Sequence, residues 1–127
     1  MIYGVGTDLI EIRRIGRALE RFGERFAQRI LCGPELERFR AHRQPVAYLA
    51  KRFAAKEAFT KALGTGIHAP ANWHGVWVVN ARSGKPHFEF STELREFLER
   101  RGVRRAHLTL TDEREIACAT VILEAGE

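Results

Sequence analysis

The central helix of the chain is predicted by the stretch RFAAKEAFTKALGTG, residues 52–66, in which strong helix formers surround one carboxylate, Glu57. We predict a helix over residues 46–63, with Gly64 as its left-handed C-terminal cap. On a helical wheel Glu57 lies on the same stripe as Phe53, and this stripe should face the protein interior. The helix therefore carries a charge where a hydrophobic side chain is expected.

Two explanations for Glu57 are open, because an ionised carboxylate removed from water needs a cation, a metal ion or several hydrogen-bond donors. The first is an intrahelical ion pair with Lys61, which is the more frequent arrangement at this spacing. The second starts from the wheel, which places Lys56 and Lys61 on either side of Glu57. One lysine is enough for pairing. A magnesium-binding carboxylate beside phosphate-binding lysines accounts for both lysines, because Mg²⁺ combines one or two protein carboxylates with water and phosphate oxygens.

A second carboxylate, Asp8, follows a short strand predicted for IYGVGT, residues 2–7, which is rich in β-branched residues and glycine. The glycines leave room for a ligand to approach the strand backbone closely. Asp8 is thus the best candidate to share a metal ion with Glu57. Alternatively, Asp8 is the N-cap of the next helix, with Glu11 completing a capping box.

An amphipathic helix is predicted after Asp8, because hydrophobic residues recur there at helical spacing. They are Ile12, Ile15, Leu19, Phe22 and Phe26. The opposite side carries a row of arginines: Arg14, Arg17, Arg21 and Arg25. This arginine row is either a docking surface for an acidic partner or an ordinary solvated helix face. The net charge of +5, from 21 basic and 16 acidic residues, favours nucleic acid, phosphorylated ligands, anionic lipid or an acidic protein as partners.

The whole chain, residues 1–127, is predicted to form a single α+β domain. Further predicted elements are a helix at GPELERFRAH, strands at 76–80 and 87–90, a helix over 92–101, and a hairpin of 105–111 and 115–123. The order is β-α-α-α-β-β-α-β-β. We expect a cytoplasmic protein, because no stretch is apolar enough to span a membrane and charge comes too early for a secretory signal. Cys32 and Cys118 lack metal-ligand spacing and are expected in the core.

Two segments carry a family resemblance. The segment GVGTDLIEIRRI matches a G-x-G-x-D strand motif, and RFAAKEAFTKALGTGI matches the helix motif (R/W)-F-x-x-K-E-A-x-x-K-A-x-G-x-G. Together they resemble the signatures of the holo-acyl-carrier-protein synthases, the small bacterial class of 4′-phosphopantetheinyl transferases. The GPELERF helix, the SGKP turn and the closing ACATVILE strand are also similar to that family.

This resemblance implies transfer of the 4′-phosphopantetheine arm of coenzyme A to a serine of apo-acyl carrier protein, in support of fatty acid biosynthesis. Asp8 and Glu57 would hold the required Mg²⁺, and Lys61 would neutralise charge at the attacked phosphate. Glu57, through a water molecule, and Asp8 are alternative acceptors for the serine proton. The implied coenzyme contacts are Arg52, Phe53, Lys56, Thr60, Gly64, Gly66 and, through its hydroxyl, Thr111.

The resemblance also implies an acidic carrier protein as partner for the arginine row, with no nucleic acid or membrane partner. It implies a homotrimer with active sites at subunit boundaries. The sequence departs from many relatives at Thr111-Asp112-Glu113, where those relatives have histidine after Ser or Thr. An acidic side chain cannot donate to a phosphate, so no coenzyme contact is expected for Asp112.

The residues are also compatible with two other functions. A basic α+β domain could be an RNA-binding module, with the arginine row following phosphates. However, the sequence has no RNP-like or KH-like element, and such a module would not use Asp8 and Glu57. A different magnesium-dependent enzyme acting on a nucleotide pyrophosphate is the second alternative. No Walker-type loop is present to support it.

Overall fold

Five helices and five strands make up residues 1–126, which are the part of the chain that the computed structural model describes. The helices are α1 Ile12–Phe22, α2 Glu24–Ile30, α3 Gly33–Ala41, α4 Pro45–Leu63 and α5 Thr92–Arg100. The strands are β1 Ile2–Glu11, β2 Val76–Asn80, β3 Pro86–Phe90, β4 Val103–Asp112 and β5 Ile116–Ala125. The α+β class and the order of elements agree with the prediction. The helical region after β1 is divided at Gly23, whose φ of 68° suits glycine.

Strands β1, β5 and β4 form an antiparallel sheet in that order, and α4 packs across one face of it. Alternate residues of β5 face the helix and are fully buried, namely Ala117, Ala119, Val121 and Leu123. Asp8 of β1 is aligned with Ala119. Because residues directly opposite each other share a face of the sheet, Asp8 also lies on the side that faces α4.

The two glycines of β1 allow the strand and α4 to pack backbone against backbone. A Cβ atom on Gly4 would lie 1.9 Å from the carbonyl oxygen of Ala62, and one on Gly6 would lie 2.0 Å from that of Ala58. No side chain fits at either position. The group that approaches the glycine strand is therefore α4 itself, and not a ligand as the sequence suggested. This contact brings Asp8 next to the second half of α4.

A separate ribbon of β2 and β3 packs on another side of α4. The rings of Phe88 and Phe90 lie with their centres 5.2 and 5.5 Å from that of Phe59 on α4. The helix thus supports both the sheet and the ribbon. Within residues 1–126, neither α4 nor any other helix is long and apolar enough to cross a membrane.

The sheet face turned away from α4 also carries hydrophobic side chains. Val5 and Leu9 are 58% and 64% exposed there, and Leu9 is aligned with Cys118. Cys118 and Cys32 are both only half-buried, so the expectation that they lie in the core is wrong. Cys118 belongs to this outer face, and Cys32 is the N-cap residue of α3.

Candidate functional site

Asp8 lies inside β1, which continues past the predicted strand end to Glu11. Glu11 is the N-cap residue of α1, and its side chain makes no capping hydrogen bond. The interpretation of Asp8 as an N-cap is therefore wrong. The Asp8 side chain is instead directed at α4 and is only 14% exposed.

Lys61 connects α4 to this strand. Its Nζ atom donates hydrogen bonds to Asp8 Oδ1 and to the carbonyl oxygen of Thr7, both at 3.1 Å. The pairing partner of Lys61 is thus a residue of the neighbouring strand, and not Glu57 one turn earlier in the same helix. The lysine side chain remains 52% exposed, so its ammonium group is also accessible from solvent.

Glu57 lies beside this ion pair without a direct partner. Burial raises the pKa of the Glu57 carboxyl above its ordinary value and the charge of Asp8 raises it further, while the charge of Lys61 lowers it. Within residues 1–126, no side chain donates a hydrogen bond to this carboxylate. The cluster therefore holds two carboxylates and one ammonium group.

A divalent cation fits this cluster. Two close carboxylates, one of them without a donor, disfavour each other's ionisation and gain from a shared positive charge. Hard cations such as Mg²⁺ prefer carboxylate oxygens and accept as few as two from the protein. No group of three or more His, Cys, Asp or Glu side chains is close enough to hold a metal ion in the described chain. A site here would thus depend on water or substrate for its other ligands.

Lys56 does not flank Glu57, contrary to the wheel. Its side chain is fully buried, and Nζ donates to the carbonyl oxygens of Ile30 at 2.6 Å and Trp73 at 2.7 Å and to Glu35 Oε1 at 2.8 Å. An ammonium group has three hydrogens, and all three are used here. The predicted contact of Lys56 with coenzyme phosphates is therefore wrong.

Arg52 points away from the carboxylates and is 4% exposed. Its Nη2 atom donates to Asn80 Oδ1 at 2.8 Å, and its guanidinium carbon lies 4.4 Å from the centre of the Tyr48 ring. The Nε atom is buried without a partner among the described residues. Burial lowers the pKa of this guanidinium relative to its ordinary value, and Tyr48 and Glu35 oppose the shift. Among the described residues, no carboxylate forms a salt bridge with this guanidinium, whose burial leaves little of it open to a ligand.

The other predicted coenzyme contacts lie on α4 or directly after it. The half-buried ring of Phe53 packs on Trp73, with 5.0 Å between ring centres. Thr60 is buried, and its hydroxyl donates to the carbonyl oxygen of Glu57 at 3.0 Å. Gly64, with a φ of 89°, is the left-handed C-terminal cap of α4 as predicted, and Gly66 also has a positive φ, 69°.

Thr111 and Asp112 lie at the end of β4, away from Asp8 on the opposite edge strand of the sheet. Thr111 is exposed, and Asp112 pairs with Lys51 of α4 at 3.2 Å. The acidic residue at this hairpin thus has a partner within the chain. The structure does not bring Thr111 to the carboxylate cluster.

A family model for the 4′-phosphopantetheinyl transferase superfamily matches residues 4–121. The chain belongs to this superfamily. The matched region contains Asp8, Glu57 and Lys61, which the fold brings together from β1 and α4. Membership confirms the resemblance read from the two sequence motifs and argues against the RNA-binding alternative.

This superfamily member is similar to several named synthases along its whole length. It is 50% identical over 124 residues to the holo-[acyl-carrier-protein] synthase of Nitrosospira multiformis, with 98% of this chain and 99% of the relative covered. It is 51% identical over 124 residues to the holo-[acyl-carrier-protein] synthase of Azoarcus sp., with 98% of each chain covered. Among solved structures, the holo-[acyl-carrier-protein] synthase from Neisseria meningitidis matches with a TM-score of 0.95 at 44% identity, covering 98% and 99% of the two chains. The synthase from Bacillus anthracis in complex with CoA (3′,5′-ADP) matches with a TM-score of 0.83 at 35% identity, covering 99% of each chain.

The arginine row of this transferase is exposed, but it spans two helices. Arg14, Arg17 and Arg21 lie on α1, whereas Arg25 lies on α2. Phe22, predicted on the core-facing stripe, is 55% exposed, and the guanidinium carbon of Arg21 lies 5.2 Å from the centre of its ring. The core prediction for Phe22 is wrong because α1 ends at this residue.

A surface cavity of about 670 Å³ lies beside these arginines. It is lined by Arg21, Phe22, Arg25, Phe26 and Arg29. Arg29 was missed from the sequence, although it continues the four-residue spacing of the row. The lining combines cations with aromatic rings, which suits a partner surface that carries both carboxylates and hydrophobic side chains.

Proposed function

We propose that this chain, as one domain over residues 1–127, transfers 4′-phosphopantetheine from coenzyme A to a serine hydroxyl of apo-acyl carrier protein. The serine oxygen forms a bond to the pantetheine-bearing phosphorus, the bond from that phosphorus to the bridging oxygen breaks, and adenosine 3′,5′-bisphosphate leaves. The observation that carries the proposal is the cluster of Asp8, Glu57 and Lys61, in a chain of this superfamily. Such a transfer requires aligned oxygens and stabilised phosphate charge, which carboxylates with a cation and a lysine supply.

We also propose that the reaction depends on Mg²⁺ held by Asp8 and Glu57. The metal would supply charge stabilisation at the pyrophosphate. Support comes from Glu57. The pKa of its carboxyl group is raised, and no side chain among the described residues donates a hydrogen bond to it. Lys61, which is paired with Asp8 and open to solvent, would place its ammonium group against the phosphate that is attacked. The serine proton would pass to one of the two carboxylates or to a water molecule beside it.

The coenzyme contacts and their place in the assembly are part of the same proposal. Phe53, Thr60, Gly64 and Gly66 belong to the helix end that carries Glu57 and Lys61. Arg52 is only 4% exposed, so a direct coenzyme contact of this residue is not part of the proposal. Thr111 is exposed at the end of β4, so it would contact a coenzyme bound mainly to a neighbouring subunit. This arrangement agrees with a homotrimer whose active sites lie at subunit boundaries.

The outer face of the sheet supports such an assembly. Val5 and Leu9 are exposed on β1, and Ile116, Cys118 and Ile122 are half-buried on β5. An apolar sheet face of this kind gains from burial against another subunit. Sedimentation equilibrium should give three times the chain mass for the unmodified protein and a smaller mass for Leu9→Glu. A monomer for the unmodified protein would contradict the trimer.

We propose the arginine row and Arg29 as the docking surface for the acidic carrier protein. We also propose that the reaction supports fatty acid biosynthesis in the cytoplasm. Rim charges of this kind act mainly on the rate of encounter. Arg14→Glu should therefore raise the KM for the carrier about tenfold while leaving coenzyme A binding unchanged. An unaltered KM for the carrier would remove Arg14 from the docking surface.

One assay tests the main proposal. The protein is incubated with coenzyme A, Mg²⁺ and an apo-acyl carrier protein, and the carrier is weighed by mass spectrometry. We expect the carrier to gain the mass of one phosphopantetheine group, and we expect a chelator to prevent the gain until Mg²⁺ is restored. A carrier of unchanged mass would refute the transferase activity, whereas transfer in the presence of the chelator would refute only the metal dependence.

A further inference from the structure

Trp73 forms an aromatic surface together with Phe53 of α4. Its ring packs on Phe53, with 5.0 Å between the ring centres, and both side chains are only half-buried. Phe53 precedes Glu57 by four residues on α4, so the two side chains are neighbours along one side of the helix. The Phe53–Trp73 pair thus continues the surface of the cluster by one helical turn.

A hydrogen bond from Lys56 connects the backbone of Trp73 to α4. The fully buried ammonium group donates to the Trp73 carbonyl oxygen at 2.7 Å, and its other two bonds go to Ile30 and Glu35. Burial lowers the pKa of Lys56, and the charge of Glu35 opposes that shift. Because every ammonium hydrogen is used, this lysine acts on the site only through what it holds in place.

Glu35 fixes the same segment at a second point. Its Oε2 atom accepts a hydrogen bond from the backbone N–H of Val78 at 2.8 Å, and Oε1 accepts from that of Cys32 at 2.9 Å. The segment from Trp73 to Val78 is therefore held at both ends by one buried ion pair. A tryptophan on a segment fixed in this way keeps a defined position without a substrate present.

We propose that Trp73, together with Phe53, forms the wall along which the pantetheine arm of coenzyme A lies, and that Lys56 and Glu35 are positioning residues for this wall. The inference rests on the proposed function. It adds Trp73 to the substrate site and gives Lys56 a role that requires no contact with phosphate.

The chemistry of the wall selects the arm over the adenosine end of the coenzyme. The arm is an uncharged chain with two amide groups, whereas the adenosine end carries a 3′-phosphate that needs cations. Lys56, the buried cation that contacts the Trp73 backbone, is turned inward, and all three of its ammonium hydrogens are used. The indole N–H of Trp73 has no acceptor among the described residues, and an amide carbonyl of the arm is a suitable one.

The chain offers a direct optical test, because Trp73 and Trp77 are its two tryptophans. Trp77 lies on β2 opposite Glu89, so Trp77→Phe leaves Trp73 as the one indole reporter without altering the proposed site. This variant is first tested for transfer by carrier mass. It is then titrated, in the presence of Mg²⁺, with coenzyme A, with 4′-phosphopantetheine and with adenosine 3′,5′-bisphosphate, exciting at the red edge of indole absorption.

We expect the emission of Trp73 to change with coenzyme A and 4′-phosphopantetheine and to stay constant with the bisphosphate. An unchanged emission at coenzyme A concentrations that saturate binding by calorimetry would overturn the inference, even though transfer by the variant upholds the proposed function. A change with the bisphosphate alone would overturn the assignment to the arm. Loss of transfer by Trp77→Phe and by the unmodified protein alike would instead refute the proposed function.

Kinetics separate positioning from general loss of structure. Trp73→Ala and Lys56→Met should each raise the KM for coenzyme A about tenfold, with a smaller change in kcat and in the KM for the carrier. In the Trp77→Phe background, Lys56→Met should also shift Trp73 emission to longer wavelength. Lys51→Met is the matched control, because it removes a lysine of the same helix that pairs instead with Asp112. An equal rise in KM for Lys51→Met, or an unchanged KM for folded Lys56→Met, would overturn the positioning role.

Discussion

Two lysines of α4, Lys56 and Lys61, lie five residues apart in sequence and form ion pairs with different roles. Lys56 and Glu35 are fully buried at 2.8 Å, and each makes further hydrogen bonds to the backbone. Lys61 and Asp8 lie 3.1 Å apart with side chains 52% and 14% exposed, beside a carboxylate that has no donor among the described residues. The first pair is saturated, whereas the second has capacity left for a ligand.

The difference shows that hydrogen-bond saturation and access, rather than residue type, separate a structural ion pair from a reactive one. A buried pair is tolerated only when every donor and acceptor is satisfied, and it then has nothing left to offer a substrate. A half-exposed pair contributes little to stability, but its charges remain available. Both kinds follow from the same short motif, KEAFTK, residues 56–61.

The largest effect is expected for Glu57→Gln. The change preserves shape but removes one of two charges that would hold the metal, so kcat/KM should fall about a thousandfold. Because burial and Asp8 disfavour the ionised form of Glu57, the free energy of unfolding at neutral pH should stay constant or rise. Steady-state kinetics and urea unfolding measure the two quantities. A loss of stability together with near-normal activity would make Glu57 a structural residue like Glu35.

The next largest effect is expected for Lys56→Met, this time on stability. The variant leaves the Glu35 carboxylate buried without its cation, and breaking such a pair costs about 3–5 kcal/mol of unfolding free energy. Urea unfolding followed by circular dichroism measures the loss. A change within the error of Lys51→Met would show that the buried pair is not needed for the fold.

A double variant should recover part of this loss. In Lys56→Met with Glu35→Gln, the buried charge is gone, while the glutamine oxygen can still accept the hydrogen bond from Val78 N–H. We expect the double variant to be more stable than Lys56→Met by roughly 1–3 kcal/mol. A double variant no more stable than the single one would mean that the charge on Glu35 is not the source of the cost.

The fold was predictable where local pattern and packing agree. The hydrophobic periodicity, the cap at Gly64 and the strand alternation of β5 indicated the α+β order. The end of α1 was not visible, because Phe22 and Phe26 continue one helical stripe through Gly23, and only the φ of 68° at this glycine reveals the break. The length of β1 was also hidden, since Asp8 is a poor strand former held there by pairing with β5.

The carboxylates of the candidate site were predictable from the sequence, whereas the pairing partners of the two lysines were not. Glu57 stood out as a charge on an apolar stripe, and a strand motif supplied Asp8. A helical wheel cannot distinguish a lysine that reaches the surface from one that meets a buried partner distant in sequence, so the link between Lys56 and Glu35 required the fold. Spacing made an ion pair with Glu57 one of two alternatives for Lys61, whereas the close approach of Gly4 and Gly6 to α4 gives it Asp8 as its partner.

Lys61→Met completes the comparison with Lys56, and only a small loss of stability is expected for it. The lysine is half-exposed, so losing its pair with Asp8 should change the free energy of unfolding by less than about 1 kcal/mol. Transfer should still fall strongly, because the ammonium group open to solvent is the one proposed to meet the phosphate. Lys61→Arg should restore part of the activity, since it keeps the charge. A stability loss as large as that of Lys56→Met would show that exposure does not separate the two pairs, and the functional assignment of Lys61 would then rest on kinetics alone.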